Sequence, residues 1–442
     1  MILEEAIFAF QQMLSVSSER TWLEVALKFF PFALLLELPM FVLVVLGIVR
    51  YSIRQLRPHK QRERYPKVSC VITCYSEGED VIKTIQSLAW QEYPGVIEII
   101  PVIDGAIQNA PTLAAAKSCE AELKDIPRRH LLVLPKWQRG GRVSSLNSGL
   151  QFATGEVVMA LDGDTSFDND MVSNVTRHFA DPNVVGVAGS LRVRNAAKSL
   201  ATRMQALEYM LSIGAGKTGL SEFNLVNNIS GAFGVFRASF LRRVGGWDAG
   251  TAEDLDLTLR LKQYFGRHKG LRIVFEPHAI GHTDAPDTFP IFFKQRLRWE
   301  GDLFYLFVRK YRFNLRPGLL GWRNFLFTLL SGLYLQLVMP FVIVAYTGVL
   351  LWTMPLGMVL GVMSFVYLVY LAALAIFFGL YVVGVSERPR EDARYLLFLP
   401  LFPLFAFAAR VHCSLAVLTE IFFKSHLDSA MAPWWVLKKT KF

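Results

Sequence analysis

Residues 156–164 read "EVVMALDGD": one charge, an unbroken apolar run, then two carboxylates one residue apart. A short apolar run closed by turn residues reads as a buried strand. Three more follow the same plan: "KVSCVITCY" (67–75), "EIIPVIDG" (98–105) and "HLLVLP" (130–135). Helical patterns lie between them, "EDVIKTIQSLAWQ" (79–91) and the alanine-rich stretch from Thr112 to Leu123. This alternation predicts an α/β domain with a mostly parallel sheet. Such sheets bind ligands beyond the carboxyl ends of their strands. Glu77, Asp104, Asp162 and Asp164 stand at those ends. Wet loops account for one or two acids there; four at corresponding ends favour a site. A second half begins near Val184 with "VVGVAGSL" (184–191), then a helix from Ala197 to about Ile213.

Outside this region the chain changes character. It has 442 residues, 52% of them hydrophobic. Apolar blocks cover 29–49, 324–385 and 395–423. A bilayer crossing needs about 20 apolar residues, so this is an integral membrane protein. Spans are expected at about 325–352 and 357–384, parted by Pro355 and Gly357. The first block follows Glu4 and Glu5 and lies too deep for a cleavable signal. Arg50, Arg54, Arg57, Lys60, Arg62 and Arg64 follow it. Positive flanks mark the cytoplasmic side, which puts the N-terminus outside and the α/β domain in the cytoplasm of an inner (plasma) membrane protein. Part of the net charge of +10 sits here, and contact with anionic lipid explains it without nucleic acid. Cys70, Cys74, Cys119 and Cys413 have no zinc-ligand spacing and read as buried thiols.

"FPIFFKQRLRWEGDLFYLFVRKY" (289–311) is amphipathic and reads as an interfacial helix. "SERPREDAR" (386–394) is expected in the cytoplasm. Pro400, Pro403, Arg410 and His412 interrupt the last apolar block, which suggests a broken or re-entrant element and a cytoplasmic "KKTK" tail (438–441). Glu37, Arg410 and His412 lie at membrane depth, where polar groups face a lumen or one another. Four regions result: a membrane segment with basic linker (1–64), the α/β domain (65–288), interfacial helices (289–323), and membrane helices with a tail (324–442).

Several motifs carry chemistry. "DGD" (162–164) could hold a divalent cation and, through it, a diphosphate; a plain strand-end loop would look the same. "GAGKTG" (214–219) resembles the end of a phosphate-binding loop but lacks the first glycine, Leu211 standing there, and a buried strand before it. His278 and His282 are four apart, yet Pro277 and Gly281 speak against a helix, so both are expected in a loop. "QRLRW" (295–299) puts Gln295, Arg298 and Trp299 on one helix face; the fork of arginine suits phosphate, and snorkelling is the ordinary alternative. "TAEDLDLTLRL" (251–261) packs Glu253, Asp254 and Asp256 at the mouth of a leucine-rich helix. Thr251 and Asp254 fit a variant capping box and the helix dipole absorbs some charge. A further acid beside apolar side chains is positioned to act as a base.

In this order and spacing, "CYSEGE" (74–79), "VIDG" (102–105), "DGD", "SGAFGVFR" (230–237), "AEDLD" (252–256) and "QRLRW" resemble the processive family-2 membrane glycosyltransferases, the synthases of cellulose, chitin, hyaluronan and poly-N-acetylglucosamine. "SLAWQEYP" (87–94) and "GGRVSSLNSGL" (140–150) match further stretches, so the resemblance covers about residues 65 to 300. It implies a GT-A-like nucleotide-sugar fold, a UDP-sugar donor and inversion at the anomeric carbon. By position, Tyr75, Glu77 and Asp104 would hold uridine. Asp162 and Asp164 would bind the diphosphate through Mg²⁺ or Mn²⁺. Arg142 stands where the family often has lysine and would serve the donor. Asp254 would be the base. Glu253, Ser230, Gly231 and Trp299 would hold the acceptor, and Gln295 and Arg298 the diphosphate. "SGAFGVFR" is closer to the amino-sugar branch, which implies UDP-N-acetylglucosamine. "PWWVLKK" (433–439), with Trp434 and Trp435, is similar to a gating segment of hyaluronan synthases. The implied activity is a processive synthase that threads its growing polysaccharide through its own spans, with export or accessory subunits as further partners. A non-processive transferase, an inactive scaffold and an unrelated transporter are the alternatives. Asp256 has no role in this scheme.

Overall fold

The apolar runs become strands of one sheet in the computed structural model, which describes residues 2–19, 37–56, 64–248 and 252–424. Thr251, Arg57, Lys60, Arg62, Trp434, Trp435 and the "KKTK" tail lie outside the described residues. The strands are β1 (Val68–Cys74), β2 (Ile97–Asp104), β3 (Arg129–Leu131), β4 (Leu134–Lys136), β5 (Val157–Asp162), β6 (Ser166–Phe167), β7 (Val184–Val193), β8 (Phe233–Arg237) and β9 (Arg272–Thr283). Their order is β3-β2-β1-β5-β8-β7-β9-β6, with β4 also on β2. β1 runs parallel to β2 and β5, and β7 to β9. Antiparallel β8 joins the halves between β5 and β7. All of β1 is buried, because helices cover both faces of a central parallel strand. Val81, Ile85 and Ala116 fill one face; Leu146, Leu241 and Leu257 fill the other. In register, Thr73 of β1 lies opposite Asp162 of β5, and Cys74 opposite Ile103 of β2. The acids that end these strands therefore share one edge.

One expectation fails here. His278 and His282 belong to β9, not to a loop. The β7–β9 register shifts between Gly189 and Ser190, whose partners are Glu276 and Ile280. Pro277 sits in that irregularity, where its missing N–H breaks no ladder bond. His278 Nδ1 meets Glu387 at 3.1 Å and His282 Nε2 meets Asp168 at 2.8 Å.

Among the described residues, four helices are long and apolar enough to cross a membrane: Leu38–Gln55, Trp322–Thr353, Leu356–Gly384 and Pro389–Phe423. The last is broken near its start by a 3₁₀ stretch, Ala393–Leu401, that contains Pro400. The polar groups at depth meet one another, as apolar surroundings demand. Glu37 pairs with Arg410 at 3.0 Å and accepts from Tyr370, and His412 Nε2 meets the Phe293 carbonyl at 2.8 Å. The basic flank also has partners within the protein. Arg54 and Arg50 pair with buried Glu222 at 2.7 and 3.5 Å, and Arg64 with Glu156. Arg54 and Arg50 help fasten the first span to the α/β domain, since a buried carboxylate needs a partner, while much of each side chain stays exposed.

"GAGKTG" also finds its use in packing. It closes a π-helical stretch, Met210–Lys217, and opens the turn Thr218–Ser221. A Cβ on Gly219 would lie 2.4 Å from the Val44 carbonyl oxygen, and one on Gly47 would lie 2.1 Å from that of Gly219. Small residues let the first span and the α/β domain touch backbone to backbone.

Candidate active site

The common edge of β1, β2 and β5 forms the floor. β1 ends in "YSEG", where Ser76 and Gly78 take φ of +75° and +60°. Such a conformation is costly for serine and is found at sites held by their surroundings. Asp104, at the end of β2, accepts from Lys136 Nζ at 2.8 Å and from the N–H groups of Gly140 and Gly141 at 2.9 and 2.8 Å. It thereby ties down the loop that leads into helix Gly141–Phe152. Arg139 from that loop lies over the Tyr75 ring, 4.4 Å from its centroid. Tyr75 and Asp104 thus both meet the loop that leads into helix Gly141–Phe152.

Glu77 stands elsewhere than beside Asp104's partners. A Cβ on Gly163 would meet its carboxyl carbon at 3.2 Å, so Glu77 leans on the "DGD" turn. Its Oε2 is buried with no hydrogen-bond partner. Burial, with the charges of Asp164 and Asp162, pushes Glu77 up to about 7. Desolvation in the cleft and the charge of Asp162 push Asp164 up to about 6, although its side chain opens to solvent; the like charge is the firmer cause. Asp162 is compensated by Arg142, whereas one oxygen of Glu77 is left without a partner. Carboxylate oxygens of this kind suit a hard divalent cation, although no cluster of three ligand side chains exists among the described residues.

Arg142, from helix Gly141–Phe152, is the hub. Its guanidinium donates to Asp162, to Glu253, to Thr73 Oγ1 at 2.8 Å and to the Gly231 carbonyl at 2.6 Å. A planar fork with several donors can serve such divergent acceptors; a lysine ammonium could not reach them all in one plane. The resemblance gives Arg142 to the donor alone, and the structure joins it to Glu253 and to the loop of Ser230 and Gly231 as well. These carboxylates in turn hold Arg142 well above its ordinary range against the cost of its burial.

The acid cluster opens helix Glu253–Lys262. Its apolar side chains are buried almost all round, as the leucine pattern required. Glu253 is buried against Arg142; burial and the charge of Asp254 push it up to about 7. Asp254 is held differently. Its Oδ2 accepts from the Gly231 N–H at 3.0 Å and its Oδ1 from the Leu255 N–H at 2.7 Å. Both bonds come from the backbone, and no cation pairs directly with it among the described residues. An ionised carboxylate fixed by N–H groups at a cleft edge can accept a proton from a bound hydroxyl. Ser230 precedes Gly231 in the same turn.

Asp256, unexplained by sequence, turns inward and is fully buried. It accepts from Tyr311 Oη at 2.6 Å, Lys310 Nζ at 2.7 Å and Arg260 Nε at 2.8 Å. It anchors the helix to the segment Tyr305–Lys310. Only the i,i+4 spacing to Arg260 hinted at this; Tyr311 and Lys310 are remote in sequence. "QRLRW" lies on helix Phe289–Phe304. The end of that helix, Leu303 and Phe304, shares an apolar cluster with Ala252, Leu255 and Leu259. Gln295, Arg298 and Trp299 make no hydrogen bond or ion pair with the acids among the described residues. Arg296, which the sequence reading passed over, lies 4.6 Å from the Trp299 centroid and bonds Glu208 at 2.6 Å.

Comparison with known proteins agrees with this geometry. The family model "Glycosyl transferase family group 2" matches residues 157–382, more than half of the chain. A poly-β-1,6-N-acetyl-D-glucosamine synthase of Staphylococcus epidermidis is 30% identical over 249 residues, 56% of this chain and 57% of the relative. The same-named synthase of Staphylococcus aureus strain COL is 29% identical over 253 residues, 57% of this chain and 58% of the relative. The matched part thus spans less than two thirds of these curated relatives. A mannosyltransferase of Pyrobaculum calidifontis, solved with GDP-Man and Mn²⁺, shares the fold at a TM-score of 0.54 and 17% identity, covering 89% of this chain and 99% of that one.

Proposed function

The chain belongs to glycosyl transferase family group 2, and on that premise we propose that it is a processive, inverting polysaccharide synthase using UDP-N-acetylglucosamine. The sugar follows the similarity to the staphylococcal synthases and the amino-sugar character of "SGAFGVFR". The observation that carries the reading is the Asp254 carboxylate, held by two backbone N–H groups on the acceptor side of the cleft, one residue from Glu253 in the grip of Arg142.

In this reading Tyr75, Glu77 and Asp104 flank the uridine. Asp162 and Asp164 hold Mg²⁺ or Mn²⁺, which when bound offsets the charge of the diphosphate. Gln295 and Arg298 close on the diphosphate, and Trp299 with Ser230, Gly231 and Glu253 places the acceptor sugar. Asp254 takes the proton of the acceptor hydroxyl as its oxygen bonds to the anomeric carbon. The bond from that carbon to the diphosphate breaks from the opposite face, and UDP carries away the electron pair. One base on one face suffices for a single displacement with inversion. The catalytic domain works in the cytoplasm at the plasma (inner) membrane. Glu37 and Arg410, paired at depth, and His412 are the candidates to line the conduit for the growing chain, with accessory or export subunits beyond it.

The test is a panel of UDP-sugars with Mg²⁺ or Mn²⁺, read by UDP release, product sizing and glycosidase digestion. Long polymer from UDP-N-acetylglucosamine is expected. One added sugar per acceptor would replace the processive reading with a non-processive transferase, and no UDP release would favour a scaffold. Asp254→Asn should lose at least about a hundredfold in kcat; near-wild-type turnover removes Asp254 as the base.

A further inference from the structure

The lysine of "GAGKTG" is buried in a costly way. Lys217 is 5% exposed and ends the π-helical stretch beneath the acceptor loop. Its Nζ donates to the Asn228 carbonyl at 3.0 Å. No carboxylate pairs with it directly among the described residues, and burial pulls it down to about 8 while the charge of Asp254 pulls it back up. A buried ammonium with a carbonyl for partner is unfavourable, so the position calls for a compensating purpose.

The bonds that start at Lys217 end on the base. Asn228 opens the loop that runs to Gly231. The Ile229 N–H donates to Thr258 Oγ1 at 2.9 Å, and Thr258 Oγ1 donates to the Asp254 carbonyl at 2.8 Å. Two residues on, the Gly231 N–H donates to Asp254 Oδ2. The loop is thus pinned at one end by Lys217 and grips the carboxylate with the other. It has little room to shift, since a Cβ on Gly231 would already lie 3.1 Å from Glu253 Oε1.

We propose that Lys217 is a positioning residue for the glycosyl transfer: its ammonium pins the loop Asn228–Gly231 so that the Gly231 N–H aims the Asp254 carboxylate at the acceptor hydroxyl. This rests on Asp254 being the base. Lys217 makes no hydrogen bond or ion pair with Tyr75, Asp104, Asp162 or Asp164 among the described residues, so its loss should act on the chemical step and spare donor binding at β1 and β2.

The experiment measures UDP release from UDP-N-acetylglucosamine with Mn²⁺ by the full-length protein in detergent or nanodiscs. Lys217→Met should lower kcat by about ten- to a hundredfold, the cost of misplacing a reacting group, with donor KM within about twofold. Lys217→Arg, which can still donate to Asn228, should recover part of the loss. Thr258→Val cuts the second strut and should show the same kcat-only defect. The double variant should fall short of the product of the two, because they act through one loop. Wild-type kcat in Lys217→Met, or a lowered Tm with unchanged turnover per folded enzyme, overturns the proposal. If Lys217→Met does not fold, wild-type kcat in Thr258→Val overturns it instead. Asp254→Asn separates the two ideas: an active Asp254→Asn defeats the base reading, whereas an inactive one beside a normal Lys217→Met defeats only the role of Lys217.

Discussion

Asp254 and Asp256 are two residues apart and have opposite fates. One is held by backbone N–H groups at the cleft, and the other is locked among Tyr311, Lys310 and Arg260. Removing one partner of a buried ion pair strands the others without compensation. Asp256→Asn should cost about 3–5 kcal/mol, seen as a lower midpoint in denaturant, whereas Asp254→Asn should leave stability nearly intact. The acids around "DGD" yield a pH prediction. Glu77 at about 7 and Asp164 at about 6 are raised above their ordinary values. The folded state therefore holds more protons than the unfolded one between about pH 4.5 and 7, and their contribution to stability falls as pH rises through that window. Added Mn²⁺ should reverse the loss, so the Tm gain on adding it should be larger at pH 8 than at pH 5.5. Sequence order placed these acids near one another. It could not show that Arg142 bridges Asp162 and Glu253, because a contact between residues 142 and 253 leaves no local periodicity.

Strands and helices were more legible than contacts. The continuous apolar runs of β1, β2 and β5 could only be doubly covered strands, and the leucines of Glu253–Lys262 needed burial on every side. β9 is hidden in part because Pro277 and Gly281 look like loop residues; the irregularity against β7 accommodates Pro277, while Gly281 pairs in register with Leu191 and Phe167. "GAGKTG" is helical, running from a π-helical stretch into the turn Thr218–Ser221. Its glycines make room for the first span, a purpose that appears only when two remote helices cross. Gly219→Val should push its side chain into the Val44 backbone, which lies closer than any real Cβ contact. The variant should insert in the membrane but lose several degrees of Tm, as overpacked contacts do, and Gly219→Ala should lose less.

At the scale of the whole molecule, the α/β domain and the membrane helices are stapled together by charge. Arg54 meets Glu222. Arg192 forms a two-pronged pair with Asp392 at 2.8 and 3.0 Å. Arg388 reaches Asp168, four residues beyond the second acid of "DGD". Membrane segments were plain in the sequence from apolar length alone, but composition could not say that Arg50 and Arg54 would also pair with a buried acid of the α/β domain. The anchorage of Asp256 has a mechanical side. Lys310 holds Asp256, and its neighbour Arg309 holds Glu420 near the end of the last helix at 2.9 Å. Helix Glu253–Lys262, the segment Tyr305–Lys310 and the last helix are thus linked by a short run of ion pairs. A displacement of the last helix has a direct route of charge contacts to the helix that carries Asp254.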